Sequence, residues 1–88
     1  GLVGSEMCIR DSNQEVYLTW GEVDGAEMYV VYIYADGKYT KLGYTEDTGY
    51  TAEGLTNGKK YGFIVRSYLD GQWCGWSPAD LVYSTPRA

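Results

Sequence analysis

From Asn13 onward, short apolar runs alternate with Gly, Asp and Asn punctuation every 8 to 12 residues or so. That interval fits the short strands of one antiparallel sandwich or barrel and is too tight for packed helices. The stretch EVYLTW (15–20) places Val16, Leu18 and Trp20 on one face and Tyr17 and Thr19 on the other, the period of a half-buried strand. GEVDGAE follows as a turn. MYVVYIYADG then alternates Tyr29, Val31 and Ile33 against Val30, Tyr32 and Tyr34, so both of its faces are apolar.

The pair Asp36-Gly37 predicts a tight hairpin, because a primed turn needs positive φ and Gly supplies it without steric cost. It should reverse the chain into YTKLGYT. A short strand is expected in GYTAEGL (49–55), with Tyr50 and Ala52 on one face. Asn57-Gly58 forms the next turn through left-handed geometry. KYGFIVRSYL (60–69) is the longest strand, with Tyr61, Phe63, Val65, Ser67 and Leu69 on one face and Gly62, Ile64, Arg66 and Tyr68 on the other. DGQWCGWSP reads as a loop. ADLVYST (79–85) gives a sixth and last strand, stopped by Pro86, which cannot donate to a ladder.

Eighty-eight residues, 44% of them apolar and 16% aromatic, suffice for one small domain with a single core. The net charge of -5 disfavours nucleic acid, whose binding needs a basic face to displace counterions. No apolar run approaches the ~20 residues of a membrane-spanning helix, so no membrane insertion is expected. The absence of histidine excludes imidazole ligation and histidine-based triads, and neither the cysteines nor the scattered carboxylates form a metal constellation. No cofactor is expected. Asp24, Asp36, Asp47 and Asp70 occupy turn positions where a short acidic side chain bonds local backbone, which accounts for them without catalysis.

The opening GLVGSEMCIRDS stands apart. Leu2 to Ser12 shows no period of 2 or 3.6 and reads as a tail, and Leu2 to Asp11 resembles one reading frame of the adapter and transposon end used in tagmentation sequencing libraries. Residues 1–12 are therefore expected to be an adapter-derived, non-native tail on a metagenomic fragment, with Cys8 of no functional weight. The acidic excess survives their removal, since they carry only Glu6, Arg10 and Asp11.

The order of landmarks over residues 14–86 resembles the fibronectin type III domain: a strand ending in Trp20, the Tyr29-x-Val31 pair in GAEMYVVYI, and LTNGKKY, where Leu55 precedes Tyr61 by six residues. The resemblance implies an all-β, immunoglobulin-like sandwich over 13–86, with 87–88 opening a linker. In that family the tyrosine after Leu-x-Pro-x-x-x bonds back to the preceding turn, the tyrosine corner. Here Asn57 replaces the proline, which implies a looser loop of the same path. The family also has a strand before the one ending in Trp20, so the first edge strand is expected to be missing or replaced. Were Met7 to Arg10 to lie along that edge, they would cover its unpaired backbone groups. The ending VYSTPRA is similar to tandem modules of secreted and surface proteins of Gram-positive anaerobes, which implies an extracellular or cell-surface setting and neighbouring domains of one parent protein as partners.

Trp20, Tyr29, Val31, Leu55, Tyr61, Phe63 and Val65 are assigned to the core. Tyr32, Tyr34, Arg66 and Tyr68, with Val30 and Ile64, form an apolar stripe on the outer sheet face. It reads first as a cross-strand ladder with Arg66 over a ring, and second as a docking face. Trp73 and Trp76 flank a loop, where they can stack on sugar rings, although folding of Trp76 back onto the core is favoured. Cys74 is expected to remain a thiol, its only intramolecular candidate being Cys8. The RGD adhesion tripeptide is absent; Leu69-Asp70-Gly71 lacks the arginine. The expected function is a non-catalytic spacer or interaction module, with polysaccharide or surface-protein binding as the alternative.

Overall fold

The computed structural model describes residues 7–88, so the first six residues of the expected tail lie outside the described residues. Eight strands follow one another: β1 (Met7–Ser12), β2 (Glu15–Trp20), β3 (Met28–Ala35), β4 (Lys38–Thr45), β5 (Gly49–Ala52), β6 (Tyr61–Leu69), β7 (Gln72–Trp73) and β8 (Val82–Ser84). They form two antiparallel sheets. One has the order β1-β2-β5; the other runs β4-β3-β6, with β7 and β8 each pairing the far side of β6.

The alternation written in the sequence becomes the core. Val16, Leu18 and Trp20 of β2 face Tyr29, Val31 and Ile33 of β3 and Tyr61, Phe63 and Val65 of β6 across the sandwich, all buried, and Leu55 packs half-buried against them. Such side chains contribute roughly 1.5 to 3 kcal/mol each by leaving water. Trp20 and Tyr29 meet edge to face at 5.5 Å between ring centres, so the two sheets are keyed together by an aromatic pair.

Residues 7–12 occupy the first edge, where the resemblance implied a missing or replaced strand. They run antiparallel to β2 from Met7 opposite Trp20 to Ser12 opposite Glu15. The physical reason is the open edge of β2: a two-residue turn at Asn13-Gln14 returns the chain along that row of backbone groups. Met7 and Ile9 then fall on the inward phase, where Met7 is buried and Ile9 half-buried. At the far end of the strand, the Ser84 hydroxyl donates to the Asp11 carboxylate at 3.2 Å, tying β1 to β8 of the opposite sheet. β1 and the short β7 bring the total among the described residues to eight strands rather than six.

The Asp36-Gly37 hairpin matches expectation, a second hairpin forms at Asp70-Gly71 where a loop was expected, and Asn57-Gly58 differs. Asp36 and Gly37 both take positive φ (54° and 77°), as do Asp70 and Gly71 (52° and 78°), giving the two-residue hairpins β3–β4 and β6–β7. At Asn57-Gly58 only Gly58 is left-handed (φ 84°). Asn57 instead uses its side chain: Oδ1 accepts from Gln14 N–H at 2.8 Å and Nδ2 donates to Asn13 Oδ1 at 2.7 Å. The loop expected to be looser is thus clamped to the β1–β2 turn. The final strand is also shorter than expected, because Pro78–Asp80 form a 3-10 turn in which the Asp80 carboxylate accepts the Ser77 N–H.

The tyrosine corner is present: Tyr61 Oη accepts the Thr56 N–H at 2.9 Å. Tyr29 repeats the device on the opposite side, accepting Val23 N–H at 2.9 Å. A third tyrosine closes the seam between sheets. Leu42 has no partner in the β3–β4 register, and its carbonyl accepts from the Tyr50 hydroxyl of β5 at 3.0 Å.

Candidate functional site

Cross-strand pairing decides which side chains share the outer face of the β4-β3-β6 sheet. Directly opposed residues point the same way, so the register lays down three rows: Tyr44, Val30 and Arg66; Lys41, Tyr32 and Ile64; Tyr39, Tyr34 and Gly62. Tyr68 continues the face beside Trp73 of β7. Residues 74–81, which separate β7 from β8, then bring Trp76 over this face.

The result is a cover of aromatic rings over an apolar floor. Val30 and Ile64 are only 2% and 3% exposed although they lie on the outer face. Trp76 does not fold onto the sandwich core. Its ring meets Tyr39 at 4.8 Å, and Tyr39 meets Tyr34 at 4.5 Å. Trp73 bridges Tyr68 at 4.9 Å and Tyr44 at 5.8 Å. Large apolar rings thereby gain contact area on a domain too small to bury them all inside. Gly62 permits part of the arrangement, because a Cβ there would stand 3.0 Å from the Tyr83 ring and 3.1 Å from Leu81.

Arg66 does not lie over a ring. Its Nε donates to the Cys74 carbonyl at 2.9 Å, anchoring the start of the covering segment. Cys74 is drawn to β6 as well, since its N–H donates to the Ser67 carbonyl at 2.9 Å and its Sγ accepts the Ser67 N–H at 3.3 Å. No disulfide joins Cys8 and Cys74.

The six residues singled out in the sequence, Tyr32, Tyr34, Arg66, Tyr68, Trp73 and Trp76, lie together on this face, the first five half-buried and Trp76 40% exposed. Sequence reasoning missed Tyr39, Tyr44 and Lys41, which β4 contributes. The signal was available: a two-residue turn at Asp36-Gly37 forces Tyr39 opposite Tyr34. The bulge at Leu42, which shifts the register so that Tyr44 comes opposite Val30, was not visible.

Tyr32, Tyr39, Ile64, Arg66 and Trp76 surround a recess of about 140 Å³. Lys41 lies beside Tyr32 in the same row, its ammonium donating to Tyr44 Oη at 2.7 Å and standing 4.6 Å from the Tyr44 ring centre. The hydrogen bond to the Tyr44 hydroxyl holds Lys41 above the ordinary lysine pKa, so it is a cation at neutral pH. Desolvation, and then the neighbouring Tyr34 and Tyr83, push the Tyr39 hydroxyl above the ordinary tyrosine pKa, leaving it protonated. None of the paired positions on this face carries a carboxylate.

No protein-family model and no curated protein matches the sequence. Solved structures do. The crystal structure of FN3tt is 25% identical, covers 90% of this chain and 86% of its own, and superposes with a TM-score of 0.73. A solution structure of a fourth FNIII domain from human is 16% identical over 93% of this chain and 75% of that one, at 0.79. A β-1,2-glucanase from Parabacteroides distasonis contains a region 18% identical that matches 91% of this chain but only 12% of the enzyme, at 0.75.

Proposed function

We take as premise that this chain has the fibronectin type III fold, which occurs as a module within larger proteins, and propose that it is a non-catalytic spacer of a secreted or cell-surface bacterial protein. In this reading residues 7–12 stand in for the native first strand, and the module holds its neighbours at a set distance and orientation. The observation that carries it is the exit of the chain. Pro86 is buried, and its carbonyl accepts the Gly58 N–H at 2.9 Å, so the backbone leaves in a direction fixed by the Asn57-Gly58 turn rather than swinging free.

Two copies joined directly after Ala88 should therefore tumble as an elongated pair with restricted interdomain motion, measured by NMR relaxation. Pro86→Gly should loosen the pair. Independent tumbling of the two copies, unchanged by Pro86→Gly, would refute the spacer reading.

A second reading has its own support: the outer aromatic face serves as a binding surface for polysaccharide or a surface protein. Tyr39 (37%), Tyr44 (54%) and Trp76 (40%) leave large rings in solvent beside two cations. A glycan-array screen with the tryptophan emission followed in parallel tests it, and silence in both would remove this reading.

A further inference from the structure

We propose that the recess bounded by Tyr32, Tyr39, Ile64, Arg66 and Trp76 is a subsite for one ring of an acidic, uronate-bearing polysaccharide whose carboxylates pair with Lys41 and Arg66. This rests on the binding-surface reading above and assigns its ligand class.

Size comes first. The recess holds about 140 Å³, well below the ~300 Å³ at the lower end of pockets that enclose a drug-sized ligand. It takes one ring of a longer molecule, and the remainder lies across the exposed Tyr44 and Tyr39 rings. It is lined by the aromatic side chains of Tyr32, Tyr39 and Trp76, by Ile64 and by Arg66. A sugar ring matches that lining, with C–H faces for the aromatic side chains and polar substituents for the Arg66 guanidinium.

Charge selects among sugars. In a chain of net charge -5 this face gathers Lys41 and Arg66 and has no carboxylate at its paired positions. Their backbones are two strand spacings apart and offset by two residues, roughly 12 Å from strand geometry. A repeating anion can engage both along its length. Among the described residues the Lys41 ammonium donates to Tyr44 at the exposed surface, where it can turn to a ligand.

An acidic peptide is the competing polyanion, but the usual route by which a β-protein captures an extended peptide is strand addition at an open edge. Here β4 is bulged at Leu42, and the far side of β6 is taken by β7, β8 and the segment between them. The face is left for a ligand that stacks rather than one that pairs backbone.

Calorimetric titration of the full chain with a galacturonate tetramer, a neutral glucose tetramer and a hexaglutamate peptide tests the assignment. The galacturonate should bind and weaken about tenfold between low and high salt, because Lys41 is exposed and Arg66 only half-buried, so both pairs are screened. Lys41→Gln should weaken it severalfold at an unchanged thermal midpoint, and Trp76→Ala should abolish it. Equal binding of both sugars, indifferent to Lys41→Gln, would overturn the acidic assignment while leaving a binding surface in place. Binding of the peptide alone would overturn the sugar. No binding of any of the three would remove the proposal, and a silent glycan array beside it would remove the underlying reading too.

Discussion

Deleting residues 1–12 is the most informative perturbation, because it removes the strand that occupies the first edge of the β1-β2-β5 sheet. β1 brings Met7, 9% exposed, and the half-buried Ile9 against Leu18 and Trp20. Burial of one full apolar side chain and about half of another is worth roughly 2 to 4 kcal/mol. Ordering six backbone residues costs on the order of 1 to 2 kcal/mol each, which the β1–β2 ladder and its contacts already offset in the intact chain. Deletion also uncovers Leu18 and Trp20, so the net loss should stay near 2 to 4 kcal/mol. With a urea m-value of about 1 to 2 kcal/mol per M for so small a domain, the midpoint should fall by about 1 to 4 M.

Tryptophan emission follows the unfolding, since Trp20 lies opposite Met7 in the register. The m-value should fall as well, because less surface is exposed on unfolding. The double variant Met7→Ser/Ile9→Ser, which keeps the backbone and removes the apolar contacts, should reproduce most of the loss. Equal midpoints for residues 13–88 and the full chain would refute the reasoning and reduce β1 to an adornment of the sheet.

Tyr61→Phe removes only the hydroxyl that accepts the Thr56 N–H, and should lower stability by about 1 kcal/mol in urea unfolding, the usual net worth of a neutral hydrogen bond. Asn57→Ala breaks both side-chain bonds to the Asn13-Gln14 turn. It should cost about 1 to 2 kcal/mol and speed hydrogen exchange at the Gln14 amide while leaving amides of β3 and β6 protected; uniform acceleration across the domain would contradict a local clamp.

Much of the sandwich was legible because its central strands obey one rule. β2 alternates buried with more exposed residues, β3 and β6 put one alternate set on the inner face, and the seven residues assigned to the core are buried, or in the case of Leu55 packed half-buried against it. The Asp36-Gly37 hairpin was equally plain, since the turn geometry demands those residues. β1 was hidden because an edge strand is held largely by backbone groups, which any sequence possesses, and its apolar period rests on Met7 and Ile9 alone. The candidate face was legible in half: β3 and β6 supplied their residues through alternation. The β4 residues depend on a bulge, and the placing of Trp73 and Trp76 depends on how residues 74–81 fold back. Asn57 shows a different limit. Its identity suggested a turn conformation, whereas its role is set by a side chain reaching a segment 43 residues away in sequence.

The division of the last edge into β7 and β8 has a mechanical meaning. Met7 pairs at the Trp20 end of its sheet, and Ser84 pairs with Tyr61 on the other. Tension drawn through a string of such modules would enter by a six-pair ladder on β1 and leave by a three-pair ladder on β8, helped by the Pro86–Gly58 bond. On the spacer reading, the shorter ladder is the one expected to yield first under load. Its release would lengthen the chain by a short increment while β1 to β7 still held, which gives the module a compliant end and a stiff body.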